Sequence, residues 1–485
     1  MSETDSVAVA NLLWHDPSTF QRREILVLAF LGFAMVIVFI VLIMTGRMSP
    51  VAALIVLPLS AGLLAGQAAD LGGFVVDGIE SLAQTALLLV FAIMYFSLMI
   101  DVGLFDPVVS AILRFSRADP VRIAIGTVAL TLVVSLDGDG SSTILIVAAA
   151  FLALYDRLGM SRVVLGVLIM LSIACTNITP WGGPVTRAAA ALQVDPAEIF
   201  LPMVPSMAAA AVAMFGLAYV LGRRERARLQ SSARTAGART GTGVVAGSAS
   251  DALAAPPAVG TQRLSRDTPE IVPERAVRHR RLFWFNVALT VTLMAAVVLE
   301  VWPLGVLFAV AFAIALVVNH RSPKEQAAQI TGYAPAVIPV VSLIFAAAVF
   351  VGVLSGTGMI EAMGLALVAA LPQSWGAGFG VLVGLLSLPL KFVLSNDAYY
   401  FGVVPVLAEA GAVHGLTPSE VGRAAIIAGP VHVLSPLVPA LYLLVGRLDI
   451  TLGELQRKGL PWAVALSVLM LAVALALGAI PIGAS

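Results

Sequence analysis

Residues 135–147 read SLDGDGSSTILIV and lie between two long apolar segments. The stretch places Asp137 and Asp139 beside Gly138 and Gly140. Carboxylates at membrane depth are costly, and for that reason they usually mark a functional site. The stretch therefore predicts a polar tip between two apolar arms, each arm short for a full membrane span.

The composition is that of a membrane protein. The chain has 485 residues, of which 60% are hydrophobic and 12% charged, and its mean hydropathy is +1.00. A soluble domain usually carries about 25% charged residues, and apolar runs of about 20 residues, long enough to cross a bilayer, recur along this sequence. The sequence lacks the alternating patterns of a membrane β-barrel. The single cysteine, Cys175, excludes an intrachain disulfide and a cysteine-cluster metal site.

We expect an all-α polytopic membrane protein with about ten transmembrane spans and two re-entrant helical hairpins. An N-terminal polar segment covers residues 1–24, and two repeats cover 25–222 and 282–485. The hairpins are predicted at about 121–157 and 376–413, and broken helices at about 161–194 and 417–446. The remaining apolar segments lie near 25–45, 49–65, 84–105, 199–222, 282–301, 303–319, 335–355 and 460–481.

The segment 223–281 is predicted to be a flexible cytoplasmic linker. It is rich in Arg, Ala, Gly and Ser and holds 12 of the 28 basic residues, all of them arginine. An interaction with anionic lipid is the alternative role. The positive-inside rule then places both termini outside, although Arg22 and Arg23 argue against that side for the N-terminus. We expect the chain in the plasma membrane.

The two repeats have the same plan, with motifs at corresponding positions. The hairpin tips are LDGDGSST (136–143) and LSNDAYYFG (394–402), and a Pro/Gly break follows each of them, TNITPWGGP (176–184) and VHVLSPLVP (431–439). Because each repeat has an odd number of crossings, we expect the second to be inverted relative to the first. Inverted repeats with helices broken at the midplane are typical of secondary transporters.

Broken helices suit the binding of ions, because half-helix N-termini attract anions while carbonyls and side-chain oxygens attract cations. We therefore expect the substrate at the tips and breaks. The predicted substrate-binding residues are Gly138, Gly140, Ser141, Ser142, Thr143, Asn177, Thr179, Pro180, Ser395, Asn396, Ser435 and Pro436.

Four titratable residues are candidates for proton or metal coupling: Asp137, Asp139, Asp397 and His432. Two close carboxylates could share a proton, or they could bind a divalent cation through oxygen. Asp137 could instead only cap the hairpin turn, and His432 could be a packing residue. Arg187 and Lys391 could each pair with a substrate carboxylate or with an acid of the protein.

Four segments carry a resemblance to a known family: LDGDGSSTILIVAAAFLALYDRLGMS, NITPWGGPVTRAAAAL, SNDAYYFGVVPVLAEA and PVHVLSPLVPALYLLVG. They closely resemble the citrate–metal–proton symporter family of the ion transporter superfamily, and the likeness covers nearly the whole chain outside residues 1–24 and the linker. The resemblance implies proton-coupled symport of citrate complexed with a Mg²⁺-like or Ca²⁺-like cation, an elevator-like motion and a homodimer. The cation is then part of the substrate, with Asp139 or Asp397 facing it, and no resident cofactor is expected.

In distant sodium-coupled relatives the tips carry a Ser-Asn-Thr motif. Here Gly138-Asp139-Gly140 and Ser395-Asn396-Asp397 stand in those places, and the extra acids disfavour sodium coupling. A transporter of another di- or tricarboxylate or anion, coupled to a different cation, is the alternative. An enzyme is not expected, because the sequence shows no nucleophile–base motif. The predicted partners are a small-molecule carboxylate, the lipid bilayer and a second copy of the chain, with no nucleic acid.

Overall fold

The computed structural model describes residues 19–116, 119–138, 140–240, 280–299, 301–370 and 378–481. Within these ranges the chain forms helices joined by turns, without a β-strand. The expectation of an all-helical fold is confirmed.

The first half contains α1 (Thr19–Met44), α2 (Pro50–Leu64), α3 (Leu71–Asp101), α4 (Asp106–Phe115), α5 (Pro120–Val134), a 3₁₀ turn (Ser135–Asp137), α6 (Gly140–Leu158), α7 (Arg162–Thr176), α8 (Gly183–Leu192) and α9 (Pro196–Thr240). The second half contains α10 (Arg280–Val298), α11 (Leu304–Asn319), α12 (Pro323–Gly356), α13 (Met359–Ala370), α14 (Phe379–Val393), α15 (Asn396–Gly402), α16 (Val404–Val413), α17 (Pro418–Ile426), α18 (Gly429–His432), α19 (Pro439–Leu448) and α20 (Leu452–Ala476).

The order of these helices repeats between the two halves. Helices α1–α4 correspond to α10–α13, and the hairpin α5–α6 corresponds to α14–α16. The broken pair α7–α8 corresponds to α17–α19, and α9 corresponds to α20. The predicted tips and breaks thus lie where helices are interrupted.

Local sequence signals set where the helices begin. Thr417 and Thr451 each accept a bond from the backbone N–H three residues on, and Glu420 and Glu454 complete capping boxes at α17 and α20. Pro439 opens α19, where its missing N–H is no loss. Helix therefore resumes at a defined residue after each interruption in the second half.

Six helices of the described ranges are long and apolar enough to cross a membrane, and shorter apolar helices of 10–17 residues accompany them. The six are α1, α3, α6, α9, α12 and α20. Helix α6, at 19 residues, is one arm of the first predicted hairpin. The expectation that each arm is short does not hold for α6, so arm length does not separate a hairpin from a pair of spans here.

Several helices extend beyond the apolar segments of the sequence. Helix α3 begins at Leu71 and α12 at Pro323, well before residues 84 and 335 where the apolar segments were predicted to begin. Before those residues α3 contains glycines and the acids Asp77 and Glu80, and α12 contains Lys324 and Glu325, which interrupt an apolar pattern. The short helices α4 and α13 were not predicted at all.

Helix α9 continues through Thr240, into the segment predicted to be a flexible linker from residue 223 onward. The extension is rich in Arg and Ala, which are good helix formers. Glu225 attaches this extension to the start of α7, because its carboxylate accepts from the backbone N–H of Ser161 at 3.0 Å. The same carboxylate pairs with Arg228 of its own helix at 2.7 Å. Residues 241–279 of the predicted linker and residues 1–18 of the N-terminal segment lie outside the described residues.

The buried hydrophobic side chains form two cores. The peripheral core is built mainly by α1–α3 and α10–α13. The hairpin core is built by α5–α9 and α14–α20. Trp181 and Phe401, from the first break and the second hairpin, belong to the peripheral core. The two cores therefore meet at the tips and breaks.

The long helices α3 and α12 occupy corresponding places in the two halves and cross at glycines. A Cβ atom on Gly78 would lie 2.2 Å from the carbonyl oxygen of Ala348, and one on Gly352 would lie 2.2 Å from that of Phe74. Small residues allow helix backbones in membranes to approach this closely. No other residue fits at either position.

Candidate functional site

The first tip is a 3₁₀ turn that ends at Gly138. This glycine has a φ of +82°, in the left-handed region that other residues adopt only at a cost. Helix α6 starts two residues later, so the predicted ligands Ser141, Ser142 and Thr143 lie in its first turn, next to Gly140. Asp139 and the side chain of Asp137 lie outside the described part of the structure.

Trp181 connects the first tip to the first break and to the peripheral core. Its indole N–H donates to the carbonyl of Leu136 in the tip at 2.8 Å. Its ring lies with its centroid 5.0 Å from those of Phe96 and Phe308, which belong to α3 and α11. One side chain of the break therefore positions the tip against the helices of the other core.

The first break, residues 177–182, is a compact turn. A Cβ atom on Gly182 would lie 2.2 Å from the carbonyl oxygen of Asn177, so the turn closes only with glycine there. The predicted ligand Pro180 is buried in it. Just before the break, the hydroxyl of Thr176 lies 2.5 Å from that of Ser135 in the tip. Tip and break are thus held together by neutral hydrogen bonds.

Three buried oxygen atoms of predicted substrate-binding residues have no hydrogen-bond partner in the protein. They are Oδ1 of Asn177, Oγ1 of Thr179 and Oδ1 of Asn396. Of seven such atoms in the described residues, these three belong to the predicted substrate-binding set. Buried polar atoms are normally bonded, so unpaired ones point to a ligand or water at the site.

The second tip carries an ion pair. The carboxylate of Asp397, in the first turn of α15, accepts from Nε of Arg187 on α8 at 2.6 Å. The two side chains are only 17% and 24% exposed. Arg187 also donates to the carbonyl of Gly183 at 3.1 Å. Of the two partners predicted for Arg187, the structure contains the acid of the protein, and this pair joins the first break to the second tip.

Lys391 lies one turn before the second tip and is fully buried. Its Nζ is 2.6 Å from the hydroxyl oxygen of Tyr400 and 4.5 Å from the centroid of the same ring. None of the ion pairs among the described side chains includes Lys391. The expectation that it pairs with an acid of the protein is not met there.

The second break binds the end of helix α14. The Nδ1–H of His432 donates to the carbonyl of Lys391 at 2.8 Å, and the hydroxyl of Ser435 donates to that of Phe392 at 2.7 Å. Both carbonyls belong to the last turn of α14, where no backbone N–H of the same helix follows to bond them. His432 and Ser435 therefore have structural contacts in this state. Pro436 is exposed, and its carbonyl accepts from Tyr442.

These contacts link the predicted site residues through helix α8 and the first break. Trp181 joins the first break to the first tip, and Arg187 joins α8 to the second tip. His432 then joins the end of α14, just before the second tip, to the second break. Helix α7, which precedes the first break, packs against α18, which begins the second break. The described tip and break residues named in these contacts lie in one connected region where the two cores meet.

Comparison with known proteins identifies the family. A family model described as Citrate transporter matches residues 37–428. The chain belongs to the citrate transporter family. Its members are transporters rather than enzymes, as the sequence predicted. The apolar helices and bacterial relatives make the chain a multi-pass protein of the plasma membrane, in agreement with the predicted localisation.

The family membership is supported along the whole chain. The Citrate transporter of Bacillus subtilis (strain 168) is 43% identical over 453 residues, which cover 93% of this chain and 99% of the relative. The Mg(2+)/citrate complex secondary transporter of the same organism is 40% identical over 456 residues, covering 94% and 99%. The crystal structure of the Alcanivorax borkumensis YdaH transporter, titled as having an unusual topology, matches with a TM-score of 0.50 at 16% identity, over 85% of this chain and 88% of that one. That last likeness shows the fold alone.

For a member of the citrate transporter family, the donor set at the tips suits a metal-bound carboxylate. Asp397 and the unpaired oxygens of Asn177, Thr179 and Asn396 are the oxygen ligands that Mg²⁺ and Ca²⁺ take in proteins. Among the residues the structure describes, no group of three His, Cys, Asp or Glu side chains is placed to hold a metal ion.

Sequence reasoning did not identify the partners of the two cations near the second tip, although it allowed a pairing of Arg187 with an acid of the protein. One partner is Asp397, which bonds Arg187, and the other is Tyr400, which contacts Lys391. A signal for the first was present, because isolated opposite charges in membrane segments are expected to pair with one another. The sequence offered no comparable signal for Tyr400, whose neighbour Tyr399 is chemically identical.

Proposed function

We propose that the protein is a secondary active transporter that carries citrate, complexed with a divalent cation, in symport with protons. The cation, of the Mg²⁺ or Ca²⁺ class, is part of the substrate and not a resident cofactor. Support from similarity comes from a relative that is 40% identical over nearly its whole length and named a Mg(2+)/citrate complex secondary transporter.

The ion pair between Arg187 and Asp397 is the observation that carries this proposal. A guanidinium binds carboxylates through two parallel hydrogen bonds, and here the protein's own carboxylate occupies it. A carboxylate of the substrate can replace Asp397 on Arg187. Asp397 is then free to face the cation of the same complex or to take up a proton.

Charge explains why the complex suits this site better than free citrate. Citrate is a trianion, and Asp397 would repel it. A complex with a divalent cation has a net charge near minus one and presents both signs, so that it can meet Arg187 and Asp397 together. The Thr179 hydroxyl and the start of α6 offer hydrogen-bond donors for the remaining carboxylate oxygens.

We extend the proposal to the architecture. The two halves are inverted repeats, in which α1, α2, α3, α7–α8 and α9 and their counterparts form ten spans, and the hairpins enter from opposite sides. The hairpin core moves against the peripheral core in an elevator-like motion, and the peripheral core forms the homodimer. Support comes from the repeated order of helices and from the two separate hydrophobic cores.

Uptake of radiolabelled citrate into proteoliposomes containing the purified protein tests the function. We expect accumulation above equilibrium only with an inward proton gradient and Mg²⁺ or Ca²⁺ present, and no response to a sodium gradient. Uptake that persists in EDTA would exclude the metal complex as substrate. Absence of citrate uptake with every cation, combined with competition by another carboxylate or anion, would establish the alternative substrate class.

A further inference from the structure

We propose that Lys391 is the group that carries the coupled proton, so that its amine is neutral in the empty carrier and becomes an ammonium when the substrate anion binds. This inference rests on the proposed function and adds to it a residue that alternates between two protonation states.

Burial is the first observation. Lys391 is fully enclosed, and the charged neighbour close enough to act on its Nζ electrostatically is Arg187, another cation. Arg187 is itself paired with Asp397. An ammonium buried without a counter-ion is strongly disfavoured, because nothing offsets its lost hydration. In the state described here the neutral amine is therefore the favoured form.

The other titratable groups that the structure describes around Lys391 do not supply that counter-ion. Tyr399 and Tyr400 on α15 face it with their rings, and His432 on α18 bonds the carbonyl of Lys391 itself. The charged residues of the remaining elements that pack against α14 make their contacts elsewhere or lie exposed; they are Glu409 on α16, Glu420 and Arg423 on α17, and Glu454, Arg457 and Lys458 on α20.

The contact with Tyr400 serves both protonation states. An ammonium donates a hydrogen bond to the phenol oxygen, whereas a neutral amine accepts one from the phenol O–H. The separation of 2.6 Å fits either direction. The ring face of Tyr400 adds attraction only when the nitrogen is charged. The site therefore keeps its hydrogen bond whether the proton is present or absent.

Position connects Lys391 to the substrate. It lies four residues before Ser395, which caps α15, and Asp397 follows in the first turn of that helix. When a substrate carboxylate takes Arg187, the anionic complex and the released Asp397 bring negative charge to this tip. Lys391 then takes one proton from the outside. When the complex leaves on the inside, the ammonium gives that proton to water and becomes the amine again.

Two substitutions of Lys391 test the proposal in proteoliposomes, with two readouts for each. The first readout is exchange of labelled for unlabelled magnesium citrate without a pH gradient, and the second is proton movement accompanying citrate, followed with an internal pH dye. Lys391→Arg keeps a permanent charge, and we expect exchange to continue while protons moved per citrate fall about tenfold. Lys391→Met has no charge, and we expect both readouts to fall about tenfold or more.

Ser387→Ala is the matched control, since Ser387 is an uncharged residue buried one turn away on the same helix, and its hydroxyl donates to the carbonyl of Gly384. We expect wild-type values for it. Size-exclusion profiles and thermal transitions in detergent establish that each variant is folded. A folded Lys391 variant that moves protons with citrate at the wild-type ratio would overturn the proposal.

Tyr400→Phe keeps the inference testable if neither Lys391 variant folds. It retains the ring and removes the oxygen that bonds Nζ. We expect the pH dependence of proton-coupled uptake to move to lower pH by about one unit. The bond from the charged ammonium to the phenol oxygen is stronger than the bond between the phenol and the neutral amine, so its loss disfavours the ammonium more. An unchanged pH dependence would contradict the role of Lys391. A wild-type protein without citrate uptake would instead refute the proposed function, so the two failures are distinguishable.

Discussion

The two hairpin tips occupy corresponding places in the two halves, but different chemistry holds them. At the first tip, neutral groups make the described contacts, as in the bond from the Trp181 indole to the carbonyl of Leu136. At the second tip, the contacts involve charge: the pair of Arg187 with Asp397, and the buried Lys391. The repeated backbone plan thus supplies two similar frames with unequal side chains.

What the frames share is the way a break holds its tip. In each half a side chain of the break donates to a carbonyl at or just before the start of the tip, Trp181 to Leu136 and Ser435 to Phe392. The difference between the tips therefore concerns the substrate and not the fold. Among the side chains that the structure describes, those of the second tip carry charge, while those of the first tip make neutral hydrogen bonds.

The largest expected effect comes from removing the cation at the second tip. Arg187→Gln should lower magnesium citrate uptake roughly 100-fold, because Asp397, which is only 17% exposed, is left without its partner and the substrate loses its guanidinium. Arg187→Lys, which keeps the charge without the planar fork, should lose less. If the uptake rate of Arg187→Gln stayed within a few-fold of the wild-type rate, the charged pair of the second tip would not be needed for substrate binding.

Removing one acid from each tip sharpens the comparison. We expect Asp397→Asn and Asp139→Asn each to lower uptake about tenfold, with a changed dependence on pH and on the cation, since each carboxylate can hold a proton or face the metal. Initial uptake rates measured across pH with Mg²⁺ and with Ca²⁺ provide the readout. If both variants transport normally, the tips are not the site.

Removing one donor from each break tests the shared part of the frame. Trp181→Phe and Ser435→Ala each leave a buried carbonyl without its bond, which costs about 1–3 kcal/mol. We expect lower thermal transitions in detergent for both variants. Hydrogen exchange should rise at residues 135–138 in the first variant and at 391–395 in the second. Exchange that rises at the opposite tip would show that the breaks do not act on their own tips.

The smallest effects belong to the turns themselves. Gly138→Ala should destabilise the protein by about 1–2 kcal/mol, because the left-handed φ is unfavourable for alanine although its Cβ has room. Ser395→Ala should cost about 1 kcal/mol through the lost cap of α15. Denaturation midpoints of both variants in detergent provide the measurement. A larger loss for Ser395→Ala would indicate that its hydroxyl does more than cap the helix.

Much of the fold followed from sequence because apolar length and Pro/Gly breaks are local signals. The order of hairpin, broken helix and final helix in each half could be anticipated in this way. Helices α4 and α13 could not, since they are short and begin among polar residues. The helical part of 223–240 was hidden by composition, because arginine and alanine are common both in linkers and in good helices.

The residues of the candidate site could be chosen from the sequence, but the contacts between them could not. Asn177, Thr179 and Asn396 were selected by their places in the tips and breaks, and their unpaired oxygens support that choice. The partner of Asp397 lies 210 residues away in the chain. No periodicity in one half reveals which residue of the other half it will meet.

The glycine crossing of α3 and α12 has a mechanical consequence. Gly78 and Gly352 put backbone directly against backbone, with no side chain between them that could change rotamer. Sliding either helix along the other would push a carbonyl oxygen into a neighbouring Cα, so the two helices cannot shift relative to each other at this crossing. Displacement between parts of the molecule must then take place where side chains separate the two cores. The aromatic contacts of Trp181 with Phe96 and Phe308 lie at that boundary.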